Sequence, residues 1–293
     1  MNNYSCMLCG ERDFVVTRTF RVVDVIRLYE EKYKIDVSGY FDTDMFGLRK
    51  CCHCGLATYS PALCAEKDLY EQLQRTPMYY EEDKPEYDFA IDALIEAKPK
   101  HVLEIGCGAG SFLEKIRSAY SVAGSEVNPV ALAGLQEKGV DIDSEGRQYD
   151  FVLAFQVLEH IDDPGNFIAE VIDKLKSGGH LLLTVPNPDA PLLREVDAVL
   201  NFPPHHITCW SMQALEYLTR AFPLTKVADY CEPQRIEHYQ SIVFTRRRQL
   251  VGNGFFGRVM MFLGSIFDAF YIPFAHGSVE DPGHTHGILF RKN

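Results

Sequence analysis

The middle of the chain alternates short apolar runs with amphipathic helical periods, and this alternation restricts the fold more than any other feature of the sequence. Each apolar run is bounded by turn-forming residues, and each helical period places its apolar residues on one face. Repeated strand–helix units of this kind form a mostly parallel sheet with helices on both faces. Residues 98–185 therefore predict an α/β protein.

Asn128–Pro129 and Asp163–Pro164 each predict the start of a helix, because a capping side chain precedes a proline at the first helical position. Gly178–Gly179 predicts the end of the second of these helices, which would carry Leu175 on its buried face. A further helix is expected from about Ser211 to Ala221. The predicted strands are Val102–Ile105, Val122–Glu126, Val140–Ile142, Phe151–Phe155, Leu181–Val185, Leu224–Tyr230 and Gly287–Arg291.

A glycine-rich turn, Glu104-Ile-Gly-Cys-Gly-Ala-Gly110, joins the first of these strands to its helix. Glycine lets the backbone bend sharply and come close to a ligand. Glu126 ends the next strand, where a carboxylate can accept both hydroxyls of a ribose. A nicotinamide-binding dehydrogenase is the structural rival, but Ser111 stands where its fingerprint has a third glycine.

With these residues, the region from about 95 to 230 resembles the class I S-adenosylmethionine-dependent methyltransferases. Tyr149–Pro164 is similar to the family's fourth strand and its loop, and Leu181–Asn187 to its fifth strand. The resemblance implies a Rossmann-like, mostly parallel seven-stranded sheet and methyl transfer from S-adenosylmethionine. The cofactor-binding residues that it implies are Glu104, Gly106, Cys107, Gly108, Gly110, Glu126, Val127, Gln156 and Tyr80.

The loop between the third and fourth strands is shorter than the one this family usually has. That loop normally supplies an acidic residue near the adenine amino group, and only residues 143–149 are available here. Asp141 or Asp143 would then contact adenine. The alternative is that both are solvated turn acids.

Two C-x-x-C-G turns lie in the N-terminal part of the chain, at Cys6–Cys9 and at Cys51–Cys54. Paired thiolates at this spacing bind one tetrahedral zinc ion from two tight turns, and four cysteines form a closed structural site. The intervening segment is long for a zinc ribbon, and a helix over Val22–Lys32 accounts for part of it. The alternative is a small core of ordinary reduced cysteines.

The two C-x-x-C-G turns are followed by CGLATYSP, by Tyr79–Tyr80 and by Lys84-Pro-Glu86-Tyr87. This arrangement resembles a subset of these methyltransferases that modify sugars, polysaccharide precursors and secondary metabolites. We therefore predict a small zinc-ribbon-like domain over residues 1–75 and a methyltransferase domain over residues 76–293. The expected acceptor is a small molecule, namely a sugar or a polysaccharide or natural-product precursor. Two alternatives remain: a protein or RNA methyltransferase that docks its target through the zinc domain, and a non-catalytic cofactor-binding module.

Histidines at two places are candidates for the general base, because their ordinary pKa is close to neutral. His160 directly follows the fourth strand, where ligands bind in open parallel sheets. His205 and His206 belong to a P-P-H-H-x-x-x-W segment that resembles a signature of the same subset. The alternative for each histidine is a structural role, with the ring bonded to backbone.

The formal net charge of −12 disfavours nucleic acid as a partner, because phosphate backbones require clustered lysine and arginine. The first residues show no secretory signal pattern, so we expect a cytoplasmic protein with reduced cysteines. The run Arg246–Arg248 is interpreted as a solvated strand end. The sequence leaves the oligomeric state open.

Residues 255–274 carry apolar residues at one-face helical spacing and contain Arg258 and Asp268, so they predict an amphipathic helix rather than a membrane span. We expect a helical lid insertion at about 246–283 that covers the carboxyl edge of the sheet. A dimer contact and a helix on a membrane surface are the alternatives.

Overall fold

The computed structural model describes residues 4–61, 63, 65, 67–73, 76, 83–191, 198–251, 254, 257, 259–264 and 282–293. The strands are β1 Phe14–Arg21, β2 Met45–Cys51, β3 Ala57–Ser60, β4 His101–Ile105, β5 Ser121–Ser125, β6 Asp141–Ile142, β7 Tyr149–Phe155, β8 Leu175–Pro186, β9 Thr208–Cys209, β10 Leu224–Pro233 and β11 Pro282–Lys292. The main helices are α1 Val22–Tyr33, α2 Lys67–Leu73, α3 Glu86–Ala97, α4 Ser111–Ile116, α5 Pro129–Glu137, α6 Pro164–Asp173, α7 Met212–Ala221 and α8 Ile236–Val251.

The central sheet has seven strands in the order β10-β11-β8-β7-β4-β5-β6. Strands β8, β7, β4, β5 and β6 run parallel to one another. Strand β11 lies antiparallel between β8 and β10. The prediction of a Rossmann-like, mostly parallel seven-stranded sheet is therefore confirmed.

Alternate residues of the central strands pack into two cores, one on each face of the sheet. In β8, Leu181 and Leu183 join a core that contains Ile168 of α6 and Leu215 of α7. Leu182 points to the opposite core, which contains side chains of α3, α4 and α5. Both faces of the sheet are thus covered by helices, which leaves the strand ends as the place for a ligand.

The predicted helix starts agree with the capping geometry. The Asn128 side chain accepts a hydrogen bond from the backbone N–H of Val130, and Asp163 accepts one from Asn166. Ser211 caps α7 in the same way through Ala214. These side chains satisfy backbone donors that the first helical turn leaves without partners.

The predicted end of the helix before β8 was wrong. Helix α6 ends at Asp173, and Leu175 already begins β8. Leu175 pairs with Tyr149 and His180 with Phe151, so β8 carries three extra residues across this interval. Gly178 adopts a φ of +74° there, and the glycine pair therefore forms an irregularity within a strand instead of a helix end.

The interpretation of Arg246–Arg248 as a strand end was also wrong, because these residues lie in α8. The described residues around the predicted amphipathic helix, 257 and 259–264, are helical. The rest of that predicted helix, and most of the predicted lid, lies outside the described residues. Within the described part of the chain, no helix is long and apolar enough to cross a membrane.

A second, antiparallel sheet has the order β1-β2-β3-β9. Three of its strands precede residue 61, and the fourth, β9, lies between β8 and α7 in the chain. Helix α1 spans nearly the predicted range and packs through Tyr29 in a core beside this sheet. The division of the chain at residues 75 and 76 stays a prediction.

Candidate functional site

The turn between β4 and α4 requires glycine at three positions. Gly106, Gly108 and Gly110 have φ values of +68°, +51° and +81°, in the region that side chains disfavour. A Cβ atom on Gly106 would lie 2.6 Å from Cγ2 of Val157, and one on Gly110 would overlap Leu135. The turn therefore has its backbone packed closely at the carboxyl edge of the sheet, as a ligand-binding turn requires.

Glu126 follows β5 and lies against this turn. One oxygen of its carboxylate accepts a hydrogen bond from the backbone N–H of Gly108 at 2.8 Å, and the other accepts one from Asn128 at 2.9 Å. Two backbone donors thus fix the carboxylate beside the glycines. The next residue, Val127, is 95% exposed, so its side chain is available to a ligand lying across this edge.

Glu104 is the buried acid of the turn. It is 3% exposed, and its Oε2 atom has no hydrogen-bond partner among the described residues. Burial raises the pKa of this carboxyl to about 8, and Glu126 adds to the effect while Lys84 opposes it. Cys107 is also buried, and burial raises the pKa of its thiol, so it is a packing residue rather than a nucleophile.

Gln156 directly follows β7, as Glu126 follows β5. Its φ of +58° is unusual for a residue other than glycine. Its side-chain amide donates to Glu86 at 3.3 Å and to Thr285 at 3.4 Å. The backbone N–H of Thr285 donates to Glu232, which forms an ion pair with Arg235 at 2.9 Å. A polar network thus lines the site between β7, β10 and β11; the sequence analysis assigned only Gln156.

The three predicted histidines form one cluster, although 45 residues separate His160 from His205. The ring centroids of His160, His205 and His206 lie 4.6–4.7 Å apart in all three pairs. We call this group the histidine cluster. Tyr70 of α2, which the sequence analysis did not assign, lies beside it with its hydroxyl 3.3 Å from Nδ1 of His160.

Backbone and side-chain bonds hold the two segments of the cluster together. The backbone N–H of Ile207 donates to the carbonyl of Glu159 at 2.9 Å. Thr208 and Trp210 both donate to the carbonyl of Leu158, at 3.1 and 3.2 Å. Trp210 is 1% exposed, so the loop that carries His205 is anchored in the core.

The histidine cluster is electrically neutral near pH 7. Burial lowers the pKa of His160 to about 4 and holds the pKa values of His205 and His206 well below the ordinary value. Burial also raises the pKa of the neighbouring Glu159 to about 8. Lys84 acts electrostatically on Glu104, Glu159 and His160, so its charge influences both the glycine turn and the cluster.

The two candidate adenine contacts have other partners. Asp143 accepts hydrogen bonds from the hydroxyl of Tyr149 and from Lys174, and its side chain is 10% exposed. Asp141 forms an ion pair with Arg147 at 3.3 Å and is exposed. Asp143 is therefore a structural acid of the turn after β6, and Asp141 is a solvated one.

The four predicted zinc ligands come together at the end of the N-terminal sheet. The sulfur atoms of Cys6 and Cys54 are 3.5 Å apart, and those of Cys9 and Cys51 are 3.6 Å apart. All four sulfur atoms lie within 4.8 Å of one another. Tetrahedral coordination at a Zn–S distance of about 2.3 Å requires sulfur separations of about 3.8 Å, so this donor set fits zinc.

Tyr80, the remaining predicted cofactor contact, lies outside the described residues. Glu86 belongs to a motif that carries the family resemblance but was assigned no role in the site, and Glu232, Arg235 and Tyr70 were not predicted at all. Glu86 is a buried acid at the start of α3 and is 2% exposed. No spacing rule connects these residues, because they come from three separate parts of the chain, namely α2, α3 and the end of β10 with the residues after it. The sequence held no signal that Glu86 is buried, because acidic residues are common in the first turn of a helix.

Comparison with known proteins identifies the fold's family. A family model described as a methyltransferase domain matches residues 80–228, slightly more than half of the chain. The match begins before α3 and ends in β10, so it includes the glycine turn, Glu126 and the histidine cluster.

Curated relatives include two enzymes named ubiquinone biosynthesis O-methyltransferase. The one from Marinobacter nauticus is 32% identical over 143 residues, which cover 41% of this chain and 60% of the relative. The one from Dinoroseobacter shibae is 32% identical over 105 residues, which cover 31% of this chain and 42% of the relative. The chain thus spans less than two thirds of either relative.

Among solved structures, coclaurine N-methyltransferase bound to N-methylheliamine and S-adenosylhomocysteine has the same fold. It matches 77% of this chain and 82% of its own with a TM-score of 0.50 at 14% sequence identity. The chain therefore belongs to the S-adenosylmethionine-dependent methyltransferases, with its methyltransferase domain at residues 80–228.

Proposed function

We propose that this protein transfers a methyl group from S-adenosylmethionine to a hydroxyl oxygen of a small molecule. The observation that carries the proposal is the glycine turn with Glu104 and Glu126 at the same sheet edge as the histidine cluster. The relatives named as O-methyltransferases support oxygen as the methylated atom.

Glu126 would hold the ribose hydroxyls, and the turn from Gly106 to Gly110 would hold the methionine part of the cofactor. The buried Oε2 atom of Glu104, which has no hydrogen-bond partner among the described residues, fits a ligand that carries positive charge. Gln156, Val127 and Tyr80 complete the proposed cofactor site. When bound, S-adenosylmethionine supplies an activated methyl group for an in-line displacement, so the protein has to align the acceptor and remove its proton.

His205, His206 and His160 are the proposed catalytic residues. The cluster lies beyond the glycine turn at the carboxyl edge, where an acceptor would meet the cofactor. Its neutral rings have lone pairs that can receive the hydroxyl proton at physiological pH. Burial makes the protonated rings costly, however, so unaided histidines here would be weak bases.

For the acceptor class we propose a sugar or a polysaccharide or natural-product precursor. The support is the polar network of Gln156, Glu86, Thr285, Glu232 and Arg235 at the carboxyl edge of the sheet, which offers acceptors and donors for several hydroxyl groups. An apolar acceptor would make no hydrogen bonds with these polar groups and would gain nothing from them.

We also propose that Cys6, Cys9, Cys51 and Cys54 bind structural zinc. Gly10 and Gly55 follow the two C-x-x-C turns with φ values of +75° and +83°, and their N–H groups donate to the backbone carbonyl oxygens of Cys6 and Cys51. The two turns therefore have matching backbone geometry. A four-thiolate shell leaves no position for a substrate, so this zinc would stabilise the fold and take no part in methyl transfer.

The test is a calorimetric titration with S-adenosylmethionine, followed by a screen of sugars, sugar nucleotides and hydroxylated aromatic compounds that measures release of S-adenosylhomocysteine. We expect cofactor binding, and turnover with a sugar-containing acceptor. Turnover with hydroxylated aromatic compounds alone would contradict the acceptor class, and absence of cofactor binding would contradict the proposed function itself.

A further inference from the structure

The carboxyl end of β10 turns polar side chains toward the face of the sheet that α3 covers. Residues 228, 230 and 232 of this strand are partly or fully buried, whereas 229, 231 and 233 are exposed. Tyr230 and Glu232 therefore point to the same side. The Tyr230 ring lies 5.2 Å from that of Phe89 in α3, and Glu232 is 1% exposed. A strand end at the sheet edge thus presents two polar groups inward.

Three buried polar atoms at this strand end have no hydrogen-bond partner among the described residues. They are Oη of Tyr230, Oε1 of Glu232 and Nε of Arg235. Nε of Arg235 lies only 2.9 Å from Oε1 of Glu232, but its N–H bond is not aligned with that oxygen. Buried polar atoms are normally hydrogen-bonded, because leaving one without a partner is costly. A ligand with hydroxyl groups would supply the missing partners.

The same side chains are held in place by their other atoms. Oε2 of Glu232 accepts the backbone N–H of Thr285 at 2.9 Å, and the guanidinium of Arg235 donates to Nε2 of His238 at 3.0 Å. The Thr285 hydroxyl accepts from Gln156, which links this strand end to the edge that carries the glycine turn. The Arg235 side chain is 39% exposed, so the group reaches solvent on that side.

The arrangement of donor and acceptor selects an uncharged hydroxyl. One hydroxyl can donate to Glu232 and accept from Arg235, because it carries both a proton and lone pairs. Burial raises the pKa of Tyr230, so its hydroxyl stays protonated and can bond a second hydroxyl nearby. An ammonium group would be repelled by Arg235, and a carboxylate by Glu232.

We propose that Tyr230, Glu232 and Arg235 bind two neighbouring, uncharged hydroxyl groups of the ligand, and we call these three residues the diol site. That this ligand is the methyl acceptor rests on the proposed function, whereas its recognition does not. The two hydroxyls are distinct from the one that is methylated, so the diol site determines which acceptor binds and takes no part in proton removal.

The first test is the stability of the chain without ligand. Tyr230→Phe removes a hydroxyl that has no partner among the described residues, so its melting temperature should equal or exceed that of the wild type. Tyr149→Phe is the contrasting control, because the Tyr149 hydroxyl donates to Asp143 at 2.7 Å, and it should melt at a lower temperature. A loss in Tyr230→Phe as large as in Tyr149→Phe would show an internal partner and overturn the inference.

The second test is binding of methyl glycosides of glucose, galactose, mannose and rhamnose to the full chain, measured by saturation-transfer NMR with and without S-adenosylhomocysteine. We expect the wild type to bind at least one of them. Tyr230→Phe should weaken this binding roughly 5- to 15-fold and Glu232→Gln by at least as much. Glu216→Gln, at an exposed ion pair with Lys226, is the matched control. No binding by the wild type, or equal binding by all variants, would overturn the inference.

Single-deoxy analogues of the glycoside that binds best identify the two hydroxyls. Removal of either of two adjacent hydroxyls should weaken binding to the wild type, and one of these removals should cost nothing further in Tyr230→Phe. An ammonium at either position should also weaken binding. Stronger binding of such an amino sugar, or no adjacent pair of sensitive positions, would contradict the diol site.

Calorimetry with S-adenosylmethionine on the same samples separates this inference from the proposed function. Cofactor affinity should be the same in the wild type, Tyr230→Phe and Glu232→Gln. A wild type that binds the glycoside but not the cofactor would contradict the proposed function and support the diol site. A wild type that binds the cofactor, with glycoside binding unaffected by either substitution, would contradict the diol site alone.

Discussion

Within the glycine turn, Gly110 leaves the least room for substitution. Its φ is +81°, and an added Cβ atom would overlap Leu135 of α5. We predict that Gly110→Ala lowers the free energy of unfolding by about 1–3 kcal/mol and abolishes cofactor binding, since backbone strain and overlap act together. Chemical denaturation and calorimetry measure the two effects.

Gly134 provides the matched control for this change. It lies within α5, and an added Cβ atom would meet nothing within 4 Å. Gly134→Ala should therefore stabilise the protein by about 0.5–1 kcal/mol, because alanine loses less backbone entropy in a helix. Equal behaviour of the two variants would show that the turn tolerates a side chain.

The buried Glu104 predicts a proton change on cofactor binding. Burial raises the pKa of its carboxyl to about 8, so the group is mostly protonated at pH 7 in the cofactor-free protein. A cationic cofactor nearby would lower this pKa, and binding should release close to one proton. Titrations in buffers of different ionisation enthalpy would detect it.

Glu104→Gln should abolish the proton release, whereas Glu114→Gln on the exposed surface of α4 should not. The same raised pKa makes the stability of the cofactor-free protein depend on pH. The unfolded carboxyl ionises near its ordinary value, so the contribution of Glu104 to folding is present at low pH and is lost as the pH rises through 8. An unchanged heat of binding in all buffers would contradict this assignment.

At the scale of elements, the sequence predicted the parts of the fold that local rules determine. Asn128, Asp163 and Ser211 mark helix starts because each caps its own helix, and short continuous apolar runs mark the buried strands. The prediction that Gly178–Gly179 ends a helix was wrong because a glycine with positive φ fits a strand irregularity as well as a helix end. Helix α8 was missed because its inner face has few buried apolar residues, Ile242 among them.

The site was predictable only where motif spacing applies. Gly106, Gly110 and Glu126 lie together as the turn pattern implies. The proximity of His160 to His205 could not be predicted, because it depends on the loop before β9 bonding back to Leu158 and Glu159. Contacts between distant segments follow from packing and carry no local signal.

At the scale of the whole molecule, the N-terminal region with its four clustered cysteines, here called the cysteine layer, shares one hydrophobic core with the central sheet. Cys6, Cys54 and Leu56 belong to the same buried cluster as Trp210 and Leu215. Strand β9, Thr208–Cys209, pairs with β3 and so adds the fourth strand of the N-terminal sheet from a later part of the chain. Ser211 adds a hydrogen bond to the carbonyl of Gly55 at 3.1 Å. The two regions are therefore expected to unfold together.

The last prediction follows from this shared core. Cys9→Ser should remove the proposed structural zinc and destabilise the entire chain by about 3 kcal/mol or more, or roughly 5–10 °C in melting temperature. Trp210, the single tryptophan, is buried in the shared core and reports on it by fluorescence. Cys52→Ser, at an exposed cysteine between the ligands, is the matched control and should melt as the wild type. If the Trp210 transition of Cys9→Ser stayed at the wild-type temperature while zinc was lost, the cysteine layer would be an independent unit and the coupling through β3 and β9 would be energetically negligible.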